Sequence, residues 1–263
     1  VDYTDIKGDV KRRDLTINAL FYDMGRGEIV DLVGGIADLK KKKIKTVGNP
    51  IERFDEDPLR KLRALRFTSL LKGRMGKVTW QALKDNPTLP GISGERIRDE
   101  FIKGIKKSKS VPQYFKMIHT LGMFKQIFPG LNVGTDYLKT NDYIVQIANL
   151  LKKNKTKLVQ SRLSSLKYHN KEVANISFLL MLLSEQDWVI QNLPAVKALQ
   201  KNTSITDKQL KMWAGASGRN SSILKIWKWK IITSAKDALD KGLKGKAIGD
   251  YIKDEEYNRF IKS

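Results

Sequence analysis

Acidic and guanidinium side chains compressed into short segments are the features of this sequence best suited to chemistry. In the first segment, Arg12-Arg13-Asp14-Leu15-Thr16-Ile17-Asn18-Ala19, three charges stand in front of an apolar run. Two readings fit it: a solvated strand entry, or a polyphosphate and sugar site. Guanidinium groups match phosphate oxygens, and a carboxylate accepts hydrogen bonds from ribose hydroxyls. The second segment runs from Glu56-Asp57-Pro58-Leu59-Arg60 through Arg63 and Arg66 to Phe67. Proline is tolerated in a first turn, so a helix is predicted to begin near Asp57. At about 100° per residue, Leu59, Leu62 and Leu65 share one face and Glu56, Arg60 and Arg63 another. Glu56 and Arg60, four residues apart, make either an ordinary surface pair worth about 0.3–0.5 kcal/mol or part of a binding site. A third segment, Gly91 to Glu100, has Ser93 placed as an N-cap and Glu95 in the favourable first turn. Arg96 stands where a capping box needs Glu or Gln, and Ser93, Glu95 and Arg96 read as structural support.

Positioning these groups requires a small sheet and many helices. Asn18 to Tyr22 and Glu28 to Leu32 read as two strands, joined through Asp23-Met24-Gly25-Arg26-Gly27, whose glycines suit a hairpin turn. Ile36 to Lys42 reads as a helical stretch and Ile44 to Val47 as a strand, ended by Gly48-Asn49-Pro50. Beyond Pro50 the spacing is helical, with helices expected at about 57–72, 77–85, 93–107, 111–120, 136–153, 171–184, 206–214, 221–232, 234–241 and 245–261. The fold class is therefore mainly α. A lone hairpin is marginal by itself, so a segment in front of Val1 is expected.

Composition narrows the partners. Over 263 residues, 50 Lys+Arg against 28 Asp+Glu give a net charge of +22, a self-repulsion that points to a polyanion, nucleic acid first. Lysines are dense at Lys40 to Lys43, Lys103 to Lys109, Lys152 to Lys157 and Lys225 to Lys246, each a solvated face or part of a phosphate-neutralising surface. The longest apolar run, Ile176 to Leu183, is too short to span a bilayer, so no membrane partner and a cytoplasmic location are expected. With no cysteine there is no disulfide framework and no thiolate metal site, His119 and His169 leave little for a zinc cluster, and the histidines read as ordinary helix-surface or core positions. Trp227 and Trp229, two apart on a helix, cannot share a face, so with Trp213 they read as core rather than as base-stacking groups.

Taken in order, RRDLTINAL at 12–20, DLVGGIADL at 31–39, RFDEDPLRKLRALRF at 53–67 and ISGERIRDEF at 92–101 resemble the second to fifth motifs of class II tRNA nucleotidyltransferases, the family of bacterial CCA-adding enzymes and poly(A) polymerases. LKGKAIGDYI at 243–252 resembles the family's C-terminal domain weakly. The resemblance implies the rear of a catalytic head at 1–45, a neck at 46–112, a body at 113–205 and a tail at 206–263, the last two binding tRNA. It places Asp14 on the ribose, with Arg12 or Arg13 and Asn18 shaping the nucleotide site. Asp57 and Arg60 then read the incoming base, Glu56 orients Arg60, and Arg63 with Arg66 lies towards the triphosphate.

That assignment is chemically sensible, because a carboxylate only accepts and a guanidinium only donates. Cytosine and adenine each present an amino donor beside ring acceptors, so CTP and ATP fit; uracil O4 and guanine O6 would confront Asp57 with an acceptor. Leu15 departs from the family's usual phenylalanine, an apolar exchange. The family's first motif, a Gly-Ser segment and an Asp-x-Asp pair for two Mg2+ ions, is not among these residues. The expectation is thus an enzyme portion inactive alone, either truncated or half of a split enzyme completed by a second polypeptide. A poly(A) polymerase and a non-catalytic RNA-binding remnant are the alternatives.

Overall fold

The structure, a computed structural model, describes residues 5–263, without the side chains of Ser184 and Asn220. Helices dominate, and the chain divides into two compact units, the first ending at Tyr143 and the second running from Ile144 to Ser263.

In the first unit Asp5 caps α1 (Ile6–Arg12) by accepting from the Gly8 N–H at 2.8 Å. A 3-10 turn (Thr16–Asn18) leads into β1 (Leu20–Asp23), which pairs antiparallel with β2 (Glu28–Asp31) from Leu20↔Asp31 to Asp23↔Glu28. The hairpin is the expected one, shifted by up to two residues. Asp31 then accepts from the N–H groups of Val33, Gly35 and Ile36, fixing the start of α2 (Gly35–Lys40). Burial alone would raise the Asp31 carboxyl, but these donors outweigh it and hold its pKa below the usual value.

The expected strand at Ile44 shrinks to β3 (Lys43–Ile44), which pairs in parallel with β4 (Arg74–Met75), a strand that interrupts the otherwise helical region after Pro50. Thr46 makes an isolated bridge to Leu15. Leu15, fully buried, packs with Ile44 and Ala64, so an apolar side chain is what this position needs. Asn49 and Pro50, expected as an end, instead begin α3 (Pro50–Glu56): Asn49 accepts from the Ile51 N–H, with Pro50 in the first turn. Helix α4 (Leu59–Leu70) follows after Asp57 and Pro58. The helix expected from Asp57 therefore starts two residues later, because a residue before proline is driven out of the helical region; Asp57 sits at φ −147°, ψ 96°.

Next come α5 (Lys77–Asp85), α6 (Gly94–Lys107), α7 (Val111–Thr120) and the short α8 (Phe124–Ile127). Helices α4 and α6 pack along their lengths, and the apolar stripe Leu59, Leu62 and Leu65 lies buried as expected. Beyond it Phe101, Tyr114, Phe115 and Phe128 form a fully buried aromatic cluster, with Phe101 stacked on Phe115 at 5.8 Å and edge-on to Phe128 at 5.4 Å. Gly104 permits this packing, since a Cβ there would lie 2.2–2.4 Å from the Tyr114 ring. Gly104→Ala is expected to cost about 1–3 kcal/mol or more, because the ring is wedged among other rings and cannot retreat. Urea unfolding checks it, and an unchanged midpoint would show that the cluster yields.

The second unit is helical: α9 (Tyr143–Leu151), α10 (Thr156–Ser165), α11 (Asn170–Ser184), α12 (Gln186–Gln191), α13 (Leu193–Lys201), α14 (Asp207–Ser217), α15 (Asn220–Lys228), α16 (Ala235–Leu239) and α17 (Lys246–Lys262). The helix expected from residue 136 starts only at Tyr143; Asn141 instead donates to the Ile105 and Ser108 carbonyls at 2.7 Å each. Trp213 is fully buried and donates to the Leu179 carbonyl, while Trp227 and Trp229 donate from Nε1 to Asp207 and Glu256. His119 sits exposed in the last turn of α7, and His169 caps α11. Among the described residues no helix is long and apolar enough to cross a membrane.

Candidate functional site

The break between α3 and α4 gathers the second charged segment. Glu56, the last residue of α3, receives Arg60 Nη1 at 2.7 Å and also an ion pair from Arg53. The expected Glu56–Arg60 pair therefore forms although the two residues belong to different helices. Arg60 Nη1 also donates to the Arg53 carbonyl at 3.1 Å, and Nη2 to the Arg12 carbonyl at 2.9 Å. Three of the five guanidinium N–H groups are thus engaged. The Nε–H and one Nη2–H have no acceptor among the described residues.

Asp57 is not bonded to the Arg60 side chain. Its carboxylate accepts from the Leu59 N–H at 3.2 Å and from Arg96 Nη2 at 3.3 and 3.2 Å. Two oxygens have about four lone-pair directions, so capacity remains for a further donor. The Asp57 and Arg60 side chains are 32% and 17% exposed, enough for a ligand edge to reach each. The Arg60 N–H to Asp57 carbonyl bond, at 3.0 Å, keeps the two residues on one turn.

Asp14 lies beside this helix through Arg63, whose Nε and Nη2 both approach Asp14 Oδ2 at 2.7 Å. Its Oδ1 accepts from the Leu15 N–H at 2.8 Å and from Asn18 Nδ2 at 3.1 Å. Burial by itself would raise the Asp14 carboxyl; the Asn18 and Arg63 hydrogen bonds and the Arg63 charge overcome it, so the pKa is lowered. Asp14 is therefore a carboxylate held between the Asn18 amide and the Arg63 guanidinium. Arg12 and Arg13 sit apart from it, both paired with Asp9, and Arg13 also lies 5.1 Å over the Phe21 ring.

Arg66 is turned elsewhere: its Nε donates to Glu100 at 2.5 Å, both side chains are nearly buried, and the guanidinium lies 4.3 Å over Phe67. That pair ties α4 to α6. Ser93 accepts from the Arg96 N–H at 3.3 Å as the N-cap of α6, with Glu95 in the first turn. Sequence spacing missed Arg53, Glu100 and the Arg96–Asp57 bond, since the partners of Glu100 and Arg96 are more than thirty residues away along the chain.

Arg53 and Arg60 have a second task. Arg53 Nη1 donates to the Lys11 carbonyl and Arg60 Nη2 to the Arg12 carbonyl, so two cations satisfy acceptors at the C-terminal end of α1. Lys61, the next residue of α4, is 1% exposed and donates to the Thr88 carbonyl at 2.8 Å. Burial lowers its pKa, and its role is to hold the 86–90 loop.

Among known proteins, residues 1–45 match the family model of the poly(A) polymerase head domain, and 74–134 that of the probable RNA- and SrmB-binding site of polymerase A. A CCA-adding enzyme of Lactobacillus helveticus is 56% identical over 96 residues, 36% of this chain and 24% of that enzyme. The chain thus spans about a quarter of the length of this relative. A solved complex of a CCA-adding enzyme with ATP has a TM-score of 0.69 at 19% identity, covering 97% of this chain and 68% of that one. A Thermotoga maritima CCA-adding enzyme complexed with tRNA has a TM-score of 0.66 at 19% identity, covering 98% and 70%.

Proposed function

Because this chain is a member of the class II family of tRNA nucleotidyltransferases and poly(A) polymerases, we propose that it selects CTP and ATP for the template-independent addition of CCA to tRNA 3′ ends. The observation that carries this reading is the pair Asp57 and Arg60, on one turn, each held by a separate partner and each with unused hydrogen-bonding capacity. Asp57 accepts the amino group of cytosine or adenine, and the free N–H groups of Arg60 donate to the ring acceptors beside it. Glu56 and the Arg53 carbonyl fix the guanidinium before the base arrives, so little side-chain freedom is lost on binding. Arg96 orients Asp57 from α6, with Ser93 and Glu95 starting that helix.

Asp14, held by Asn18 and Arg63, takes the ribose hydroxyls; Arg63, with Arg12 and Arg13 able to leave their shared Asp9, serves the phosphates. Arg66, through Glu100, holds α4 at its distance from α6. Of the regions suggested by the resemblance, head 1–45 and neck 46–112 carry this chemistry, and body 113–205 and tail 206–263 the tRNA. Among the described residues no group of three or more His, Asp or Glu side chains is placed to hold a metal ion. They do not fit the Mg2+ site that the resemblance implies, and no step here runs through the metal.

The test is direct titration of the chain with the four nucleoside triphosphates. CTP and ATP are expected to bind about 10- to 100-fold more tightly than UTP and GTP, the range for a lost bidentate contact of about 1–3 kcal/mol. Equal affinity for all four would overturn the reading. Addition of a defined CCA end to a trimmed tRNA by the complete enzyme supports tRNA nucleotidyltransfer, whereas long A tails assign the chain to poly(A) synthesis instead.

A further inference from the structure

The second unit holds an opening that the nucleotide site does not use. Ala174, Ser177, Phe178 and Met181 make one face of α11, continued by Glu185 just beyond its end, and this face borders a cavity of about 580 Å3. Helices α10, α12 and α13 supply further walls through Lys157, Trp188 and Leu199. A volume of this size is that of a small-molecule pocket rather than a packing defect. It arises because Ala174 and Ser177 are short, while Phe178 and Met181 on the same face are large and buried.

Three features of the lining are unspent. The Ser177 hydroxyl oxygen is buried yet has no hydrogen-bond partner among the described residues. A helical serine can return its hydroxyl to a carbonyl one turn back, and a buried polar atom left unpaired is costly. Lys157 and Glu185 line the same cavity but form no ion pair with each other or with another described residue. Trp188 and Leu199, both large and apolar, are 42% and 43% exposed. Phe178 is backed by Trp227, the two rings edge to face at 6.2 Å.

We propose that this cavity binds a free aromatic amino acid whose ring carries a polar hydrogen, of the tyrosine or tryptophan type, independently of the nucleotide site. The Phe178 and Trp188 rings and the Met181 thioether favour an aromatic body over an aliphatic one. The phenol O–H or indole N–H of the ligand donates to Ser177 Oγ and satisfies it. A zwitterion uses Lys157 and Glu185 together, its carboxylate meeting the first and its ammonium the second. Polyanions suit the site poorly: Lys157 is the one cation among the described residues lining the cavity, and Glu185 repels phosphate. Occupation also takes the exposed apolar surface of Trp188 and Leu199 out of water.

Calorimetric titration of the full chain with L-tyrosine and L-tryptophan tests this. One saturable site is expected, with affinity about 3- to 10-fold above that for L-leucine, the range for an aromatic contact. Tyramine, which lacks the carboxylate, and N-acetyl-tyrosine, which lacks the ammonium, are each expected to bind roughly 2- to 5-fold more weakly than tyrosine, as exposed charges allow. Glu185→Gln is expected to erase the gap between tyrosine and N-acetyl-tyrosine while keeping that between tyrosine and tyramine. Ser177→Leu fills the cavity and is expected to abolish binding. Should that variant fail to fold, Trp188→Ala at the exposed rim serves in its place, with an expected loss of about 3- to 10-fold. No saturable binding at about 1 mM overturns the proposal, as does leucine binding as well as tyrosine, or binding unchanged by these substitutions. CTP affinity is expected to be the same with and without saturating tyrosine; competition between them would put tyrosine in the nucleotide site and overturn the proposal. A Trp188 fluorescence response to short single-stranded RNA but not to tyrosine would assign the cavity to a nucleobase, which overturns it equally.

Discussion

Arg60→Ile is expected to erase the preference for CTP and ATP, bringing UTP and GTP to within a few-fold of them while tRNA still binds. On the proposed reading the two free N–H groups of Arg60 donate to the base acceptors, and isoleucine supplies none. The discrimination lost is about 1–3 kcal/mol, or roughly 10- to 100-fold in relative affinity. Arg60 also holds Glu56, the Arg53 carbonyl and the Arg12 carbonyl, so its removal loosens α1 as well as the template. Arg53→Gln separates the two effects. It removes the Lys11 contact and the second cation on Glu56 yet leaves the Arg60 fork, and is expected to keep selectivity with a small loss of stability. Arg60→Lys should behave like the isoleucine variant, because a single ammonium cannot hold Glu56 and the Arg12 carbonyl while presenting a planar pair of donors. Relative affinities of the four triphosphates decide the matter. Unchanged selectivity in Arg60→Ile would remove Arg60 from base recognition.

The two site segments differ in how legible they were. Glu56 and Arg60 are four apart, and they pair although a helix break lies between them. What the spacing hid was the break. Proline's tolerance of a first turn points to a helix from Asp57, whereas its effect on the preceding residue decides the geometry of Asp57. Asn49-Pro50 was similarly ambiguous: the same pair that ends a strand caps α3. Helix α10 was missed because only Val159 and Leu163 are buried on it, too few apolar positions to set a period. Partners distant in sequence were not legible at all. Asp14–Arg63, Asp57–Arg96, Arg66–Glu100 and the β3–β4 ladder are closed by tertiary packing, so neither local propensity nor helical spacing contains them. The cost is specific: Arg63 and Arg66 look equivalent as two basic residues on one helix, yet one completes the Asp14 cluster and the other is spent on Glu100.

Glu256→Ala is expected to destabilise the end of the second unit by about 1–3 kcal/mol or more, the range for leaving a buried donor without its acceptor. Glu256 on α17 is fully buried and accepts from Trp229 Nε1 at 2.8 Å, the Ile232 and Thr233 N–H groups at 3.1 and 2.8 Å, Thr233 Oγ1 at 2.6 Å and Arg259 Nη1 at 2.5 Å. It is the anchor that fixes the 229–233 segment, and an alanine leaves those donors without an acceptor. Burial by itself would raise this carboxyl, but the Thr233 and Trp229 hydrogen bonds and the Ile232 amide overcome it and lower the pKa from 4.5 to about 2. The folded value lies below the unfolded one, so the ionised group contributes roughly 3 kcal/mol above pH 4.5, and the contribution is lost as pH falls towards 2. Glu256→Gln keeps the shape without the charge. Its stability deficit relative to the native chain, from urea unfolding followed by tryptophan fluorescence, is expected to be largest near neutral pH and to shrink steadily below pH 4.5. A deficit that stays constant down to acid pH would mean that packing around Glu256, rather than its charge, holds this end of the molecule together.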